Sequence, residues 1–88
     1  MTAPGSFDAL PGDCVFKVFG RHSPTLVERV TAIVSDTVGA VAPEAVRVRE
    51  SNRGTYLSIT IVAWVESRSQ LERAYAELRA EPHVLFFL

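Results

Sequence analysis

Glu50 to Trp64 reads ESNRGTYLSITIVAW: a polar turn, Ser51-Asn52-Arg53-Gly54, and then a run in which Leu57, Ile59, Ile61 and Ala63 alternate with Tyr56, Ser58, Thr60, Val62 and Trp64. Successive side chains of a strand point to opposite faces, so this period of two predicts a strand with one buried face. Just before the turn, Val46 and Val48 point one way and Arg47 and Arg49 the other, which makes a short preceding strand and closes a hairpin. Gly54, ending the turn, is predicted to hold a positive φ.

Working outward, Cys14, Phe16 and Val18 alternate with Val15, Lys17 and Phe19 in a first strand over about Cys14 to Phe19, which Gly20 ends. Ser23-Pro24 reads as a helix start, with Ser as N-cap and Pro at the first helical position. Leu26, Val30, Ile33, Val34 and Val38 recur at helical spacing, and Gly39 supplies a left-handed cap. A second helix carries two overlapping capping boxes, Ser67 with Gln70 and Ser69 with Glu72, and an apolar stripe of Leu71, Ala74, Tyr75 and Leu78. Pro82 stops it, and Val84 to Leu88 forms an uncharged last strand.

The order β-α-β-β-α-β defines an α+β, ferredoxin-like two-layer sandwich: a four-stranded antiparallel sheet with both helices on one face. Strands 1 and 3 are expected in the centre and strands 2 and 4 at the edges. Cys14, Phe16, Val18, Val46, Val48, Leu57, Ile59, Ile61 and Ala63 are expected to face the helices. Residues 1–10, with Pro4 and Gly5, read as a flexible tail, and 11–88 as one domain.

Composition narrows the function classes. Eighty-eight residues, 48% apolar and 22% charged, suit one globular core. A net charge of -1 gives no global attraction to nucleic acid or an anionic membrane. The first sixteen residues lack Lys, Arg and an apolar run, so no secretory signal is read there, and no run is long enough to span a bilayer. With a single cysteine, the expectation is a cytoplasmic protein. Metal-ligand spacing, a nucleophile elbow and a phosphate loop are all missing, and no cofactor is expected.

Leu10-Pro11, the strand Phe16-Lys17-Val18-Phe19-Gly20, the segment Ser51 to Thr60, and Gln70-Leu71-Glu72 with Tyr75 and Leu78 together resemble the YbeD-like family of small bacterial proteins. The resemblance spans roughly Leu10 to Leu88, and Gly54, Tyr56 and Ser58 are its most specific part. Leu10 and Phe19 stand where the family more often has Phe and Met or Ile. The family's function is unknown, and its fold is similar to the ACT regulatory domains that bind amino acids. Its members are often encoded near lipoate-attachment enzymes, which implies a metabolic accessory role. It supplies no catalytic residues to carry over.

Three candidate sites follow. Gly20, Arg21, His22 and Ser23, between the first strand and first helix, could bind an anion or carboxylate at a helix N-terminus; the plainer reading is a solvated turn. The open sheet face, with Lys17, Phe19, Arg47, Arg49, Tyr56, Leu85 and Phe87, is a candidate interaction surface. Basic and aromatic side chains alternate there as in RNA-recognition sheets, although the RNA signature is missing and the charge balance disfavours nucleic acid. Cys14 with His22 or His83 could form a nucleophile and base, but its expected place under the helices favours an inert thiol.

These readings converge on a non-enzymatic binding or regulatory domain acting through a partner protein or a small metabolite. An RNA-binding module is the alternative. An acylphosphatase-like hydrolase is more distant, since Arg21 follows the first strand but the Gly-x-Val-Gln-Gly run of those enzymes is missing. Strand 2 carries charges that discourage edge pairing and strand 4 carries none, so association, including a weak homodimer, is expected through strand 4.

Overall fold

The computed structural model describes residues 10–88, so most of the expected N-terminal tail lies outside the described residues. The elements are β1 (Gly12–Arg21), α1 (Leu26–Val38), a 3-10 turn (Pro43–Ala45), β2 (Val46–Glu50), β3 (Tyr56–Val65), α2 (Arg68–Ala80) and β4 (Val84–Phe87). The strand order is β2-β3-β1-β4, and all pairs are antiparallel. This is the ferredoxin-like α+β sandwich read from the sequence, with β1 and β3 central.

β1 and β3 pair over their full length, from Gly12 opposite Val65 to Arg21 opposite Tyr56. The ladder sets Cys14, Phe16 and Val18 beside Ala63, Ile61 and Ile59 on one face, and all six are buried. Leu26, Val30 and Val34 of α1 and Leu71, Ala74 and Leu78 of α2 close over them. Burial of each large apolar side chain contributes about 1.5–3 kcal/mol. The one buried polar side chain among the described residues, Thr37, donates its hydroxyl to the Ile33 carbonyl at 2.7 Å. Val46 packs against this core, but Val48, expected beneath the helices, is exposed on the outer strand.

Three local details differ from the sequence reading. β1 continues through Gly20 to Arg21. α1 starts two residues later than Ser23-Pro24 implies: Ser23 Oγ accepts the Thr25 N–H at 3.4 Å, and the Ser23 carbonyl accepts the Leu26 N–H at 3.3 Å. The serine thus closes a turn before the helix, and Thr25 is the N-cap. Gly39 has φ 116° and ψ 176°, a positive-φ exit that favours glycine but lies outside the αL well of a left-handed cap. α2 keeps half of its first capping box: Ser67, the N-cap, accepts the Gln70 N–H on its Oγ at 3.3 Å, while Gln70 Oε1 accepts at 2.8 Å from the N–H of Glu66, one residue before the cap, in place of Ser67.

Two further glycines are required. Gly54 has φ 68° in the hairpin, as expected, and donates its N–H to the Ser51 carbonyl. Gly20 lies under the crossing of β4: a Cβ there would sit 2.6 Å from the His83 carbonyl oxygen and 2.8 Å from Leu26 Cδ2. The backbone oxygen has no easy route away. Gly20→Ala is therefore expected to destabilise by roughly 1–3 kcal/mol through overpacking, and Gly54→Val by roughly 1–3 kcal/mol through strain in empty space. Urea midpoints measure both, and a wild-type midpoint for Gly20→Ala would contradict this close approach of β4.

Candidate functional site

The sheet face turned away from the helices is built by register. One row across the strands is Arg47, Thr60 and Lys17; the next is Arg49, Ser58, Phe19 and Phe86. Neighbouring strands lie ~4.8 Å apart and alternate residues ~7 Å apart, so Lys17, Arg47 and Arg49 share a patch about 10 Å wide. All three are exposed, and among the described residues none forms an ion pair. A groove of about 430 Å³ runs from Lys17 and Arg49 past Ser58 to Phe19 and Tyr56. It meets a second, apolar groove of about 280 Å³ lined by Phe19, Gly20, Tyr56, Leu85 and Phe86.

The apolar end depends on a bulge in β4. Gly20 pairs with Val84 and Phe19 with Phe86, which leaves Leu85 as an extra residue between them. Regular alternation would put Leu85 and Phe87 on the open face. The bulge keeps Leu85 exposed, brings Phe86 to the open side, and turns Phe87 under the helices opposite Val18. Phe86 stacks on Phe19 with centroids 4.5 Å apart. Phe87 stacks on Tyr75 at 5.3 Å, with the Arg79 guanidinium 5.9 Å from its centroid. The expected placing of Phe87 on the open face is thus corrected, and Phe86, which periodicity alone would hide, takes that position.

The loop after β1 is arranged differently from an open anion cradle. Arg21 donates its N–H to the His83 carbonyl at 3.0 Å, and His22 donates its N–H to the Thr55 carbonyl at 2.8 Å. His22 Nε2 lies 2.9 Å from Glu50 Oε1 at the end of β2. The Thr25 and Leu26 N–H groups are held by Ser23. An anion at Gly20, Arg21, His22 and Ser23 would have to displace the Glu50 carboxylate, leaving the exposed Arg21 side chain as the accessible cation.

Cys14 is 1% exposed within the core, on the helix side of β1. His22 is held by Glu50, and His83 Nδ1 lies 3.4 Å from Glu81 Oε1. Trp64, 53% exposed at the far end of the open face, pairs in register with Asp13 and donates its indole N–H to Glu66 at 2.9 Å. No helix among the described residues is long and apolar enough to cross a membrane.

Glu81, at the end of α2, is the most engaged carboxylate. Its side chain is 12% exposed and accepts from Arg29 Nη1 of α1 at 3.0 Å. Burial by itself would raise its pKa, but hydrogen bonds from Arg29 and His83 and the Arg29 charge outweigh it and hold the carboxyl below the usual range. Burial, with the nearby Cys14, pushes the Tyr75 hydroxyl up.

Residues 9–88 match the family model described as protein of unknown function (DUF493). The chain is 37% identical to a UPF0250 protein of Leptothrix cholodnii over 78 residues, covering 89% of this chain and 86% of the relative. It is 38% identical to a UPF0250 protein of Shewanella frigidimarina over 71 residues, covering 80% and 77%. A third, from Shewanella piezotolerans, is 41% identical over 76 residues, covering 82% and 83%. These matches agree with the YbeD-like resemblance.

The Glu81 environment sets a pH dependence. Its folded-state pKa is depressed, so its stabilisation is complete above the ordinary carboxylate value of about 4.3 and is lost as pH falls through the lowered folded value. Glu81→Gln is expected to cost about 1 kcal/mol at pH 7, with the gap from wild type closing in acid. Urea unfolding at pH 7 and at about pH 3 checks this; an equal gap at both would assign the effect to packing.

Proposed function

The chain belongs to the DUF493 family of proteins of unknown function, and from its own surface we propose that it is a non-enzymatic binding or regulatory domain that takes a partner protein or small metabolite onto its open sheet face. The observation that carries this reading is the pairing of two features on that face. Leu85, Phe86 and Tyr56 remain exposed beside an apolar groove, and Lys17, Arg47 and Arg49 stand next to it with no carboxylate partner among the described residues. Exposed apolar surface rimmed by charge is the signature of an interaction site. The titratable groups that could carry catalysis are apart: Cys14 is under the helices, and each histidine is engaged by its own carboxylate.

The RNA reading has less support. Stacking platforms need free ring faces, whereas Phe19 and Phe86 cover one another, and Trp64 sits beside two carboxylates that repel phosphate. A metabolic accessory role related to lipoate attachment is the setting implied by the family resemblance, and the single cysteine supports the cytoplasm as its compartment.

Pull-downs from native bacterial extract, with mass spectrometry of proteins and metabolites, test this reading. Wild type is expected to retain a species that Tyr56→Ala with Leu85→Asp loses at least tenfold, about 1.4 kcal/mol. Ala76→Lys, on the exposed side of α2, is expected to retain it. Equal recovery by all three chains would move the binding surface off the open face.

A further inference from the structure

Resting on the open-face reading, we infer that the occupant is an extended, acidic segment of a partner protein, with an apolar side chain seated in the Phe19–Leu85–Phe86 groove and carboxylates on Lys17, Arg47 and Arg49. Charge complementarity carries the inference. Three cations with no ion pair among the described residues lie within two adjacent rows of three neighbouring strands, although the chain as a whole is slightly acidic. Their attraction is therefore local and directed, and it favours carboxylates presented at strand-like spacing.

Spacing sets the size of the ligand. From Leu85 on β4 to Arg49 on β2 is three strand spacings, about 14 Å, which an extended chain covers in about four residues at ~3.3 Å each. A small metabolite in the apolar groove would leave Arg47 unused, since Arg47 lines neither that groove nor the one that joins it to Arg49, whereas an extended chain meets both ends at once. The apolar groove, about 280 Å³ and bounded by Phe19, Tyr56, Leu85, Phe86 and the bare backbone of Gly20, suits one large aliphatic or aromatic side chain. The floor between the ends is Ser58 and Thr60, hydroxyls able to donate to a crossing backbone.

A random decapeptide display library, selected in parallel on wild type and on Arg47→Glu with Arg49→Glu, tests the assignment. Both arginines are exposed, and matching melting curves verify folding of the variant. Wild type is expected to enrich peptides with two or more Asp or Glu about four residues from a Leu, Phe or Trp. The charge-reversed variant is expected to lose these at least tenfold, and Leu85→Asp is expected to lose the apolar preference. No enrichment, or an enriched pool without acidic residues, overturns the acidic segment. Loss of the native species by the Leu85-containing variant in extract would still uphold the open face, which keeps the two failures distinct. A labelled octauridine that binds wild type with steep salt dependence would replace the peptide with RNA. A dimer in sedimentation velocity that Leu85→Asp dissociates would replace it with a second copy of this chain.

Discussion

The antiparallel ladder between β1 and β3 is the constraint on which the rest of the structure depends. Ten consecutive pairs, from Gly12–Val65 to Arg21–Tyr56, fix which side chains face which way across the centre of the sheet. A slip of one residue would carry Phe16, Val18, Ile59 and Ile61 from the core to water. The ladder also decides where the outer strands attach. β2 extends β3 by the hairpin, whereas β4 returns across α2 and must dock on β1 where Gly20 leaves room for the His83 carbonyl. The open face is the complement of that same register, so the position of its cations and aromatics follows from the packing beneath them.

Most of this arrangement is legible in the residues themselves. Alternation in 56–64 and 14–19, apolar spacing in the two helical segments, and Gly54 at the turn each report a local preference that the tertiary structure keeps. What is hidden is non-local. The bulge at Leu85 sits where β4 meets a glycine more than sixty residues earlier, and nothing within Val84–Leu88 signals that alternation breaks there. As a result the sequence reading exchanges Phe86 and Phe87. The His22–Glu50 contact joins the ends of two strands separated by 28 positions, and only the sheet brings them together. The start of α1 is misplaced for the opposite reason, because Ser23 has a competing local turn that a capping pattern does not distinguish.

Charge is partitioned between the two layers. On the helix side, Arg29 of α1, His83 before β4 and Glu81 at the end of α2 meet in one cluster, tying both helices to the crossing that returns β4 to the sheet. There the charges serve the fold. On the open side Lys17, Arg47 and Arg49 form no ion pair among the described residues: Glu50, which lines the same groove, is turned to His22, and Asp13 pairs in register with Trp64 toward the other end of β1. Desolvating a cation without a counter-charge is costly, so a partner covering this patch must bring carboxylates or other acceptors with it. On the proposed reading, the patch would select among partners by charge as well as by shape.

The two sheet edges complete the argument. β2 presents Arg47, Arg49 and Glu50, side chains that discourage a further strand from pairing along its full length. β4 is uncharged, but it is only four residues long and its pairing with β1 is interrupted at Leu85. A bulged, short edge is a poor template for continuous strand addition, because its free N–H and C=O groups do not run in one even row. The same bulge turns Leu85 and Phe86 together toward the open face. The apolar surface of β4 is thus offered across the sheet more than along its edge, and a ligand crossing the strands from β4 toward β2 meets first the aromatic groove and then the arginines. Geometry that weakens edge pairing is in this way the geometry that builds the face.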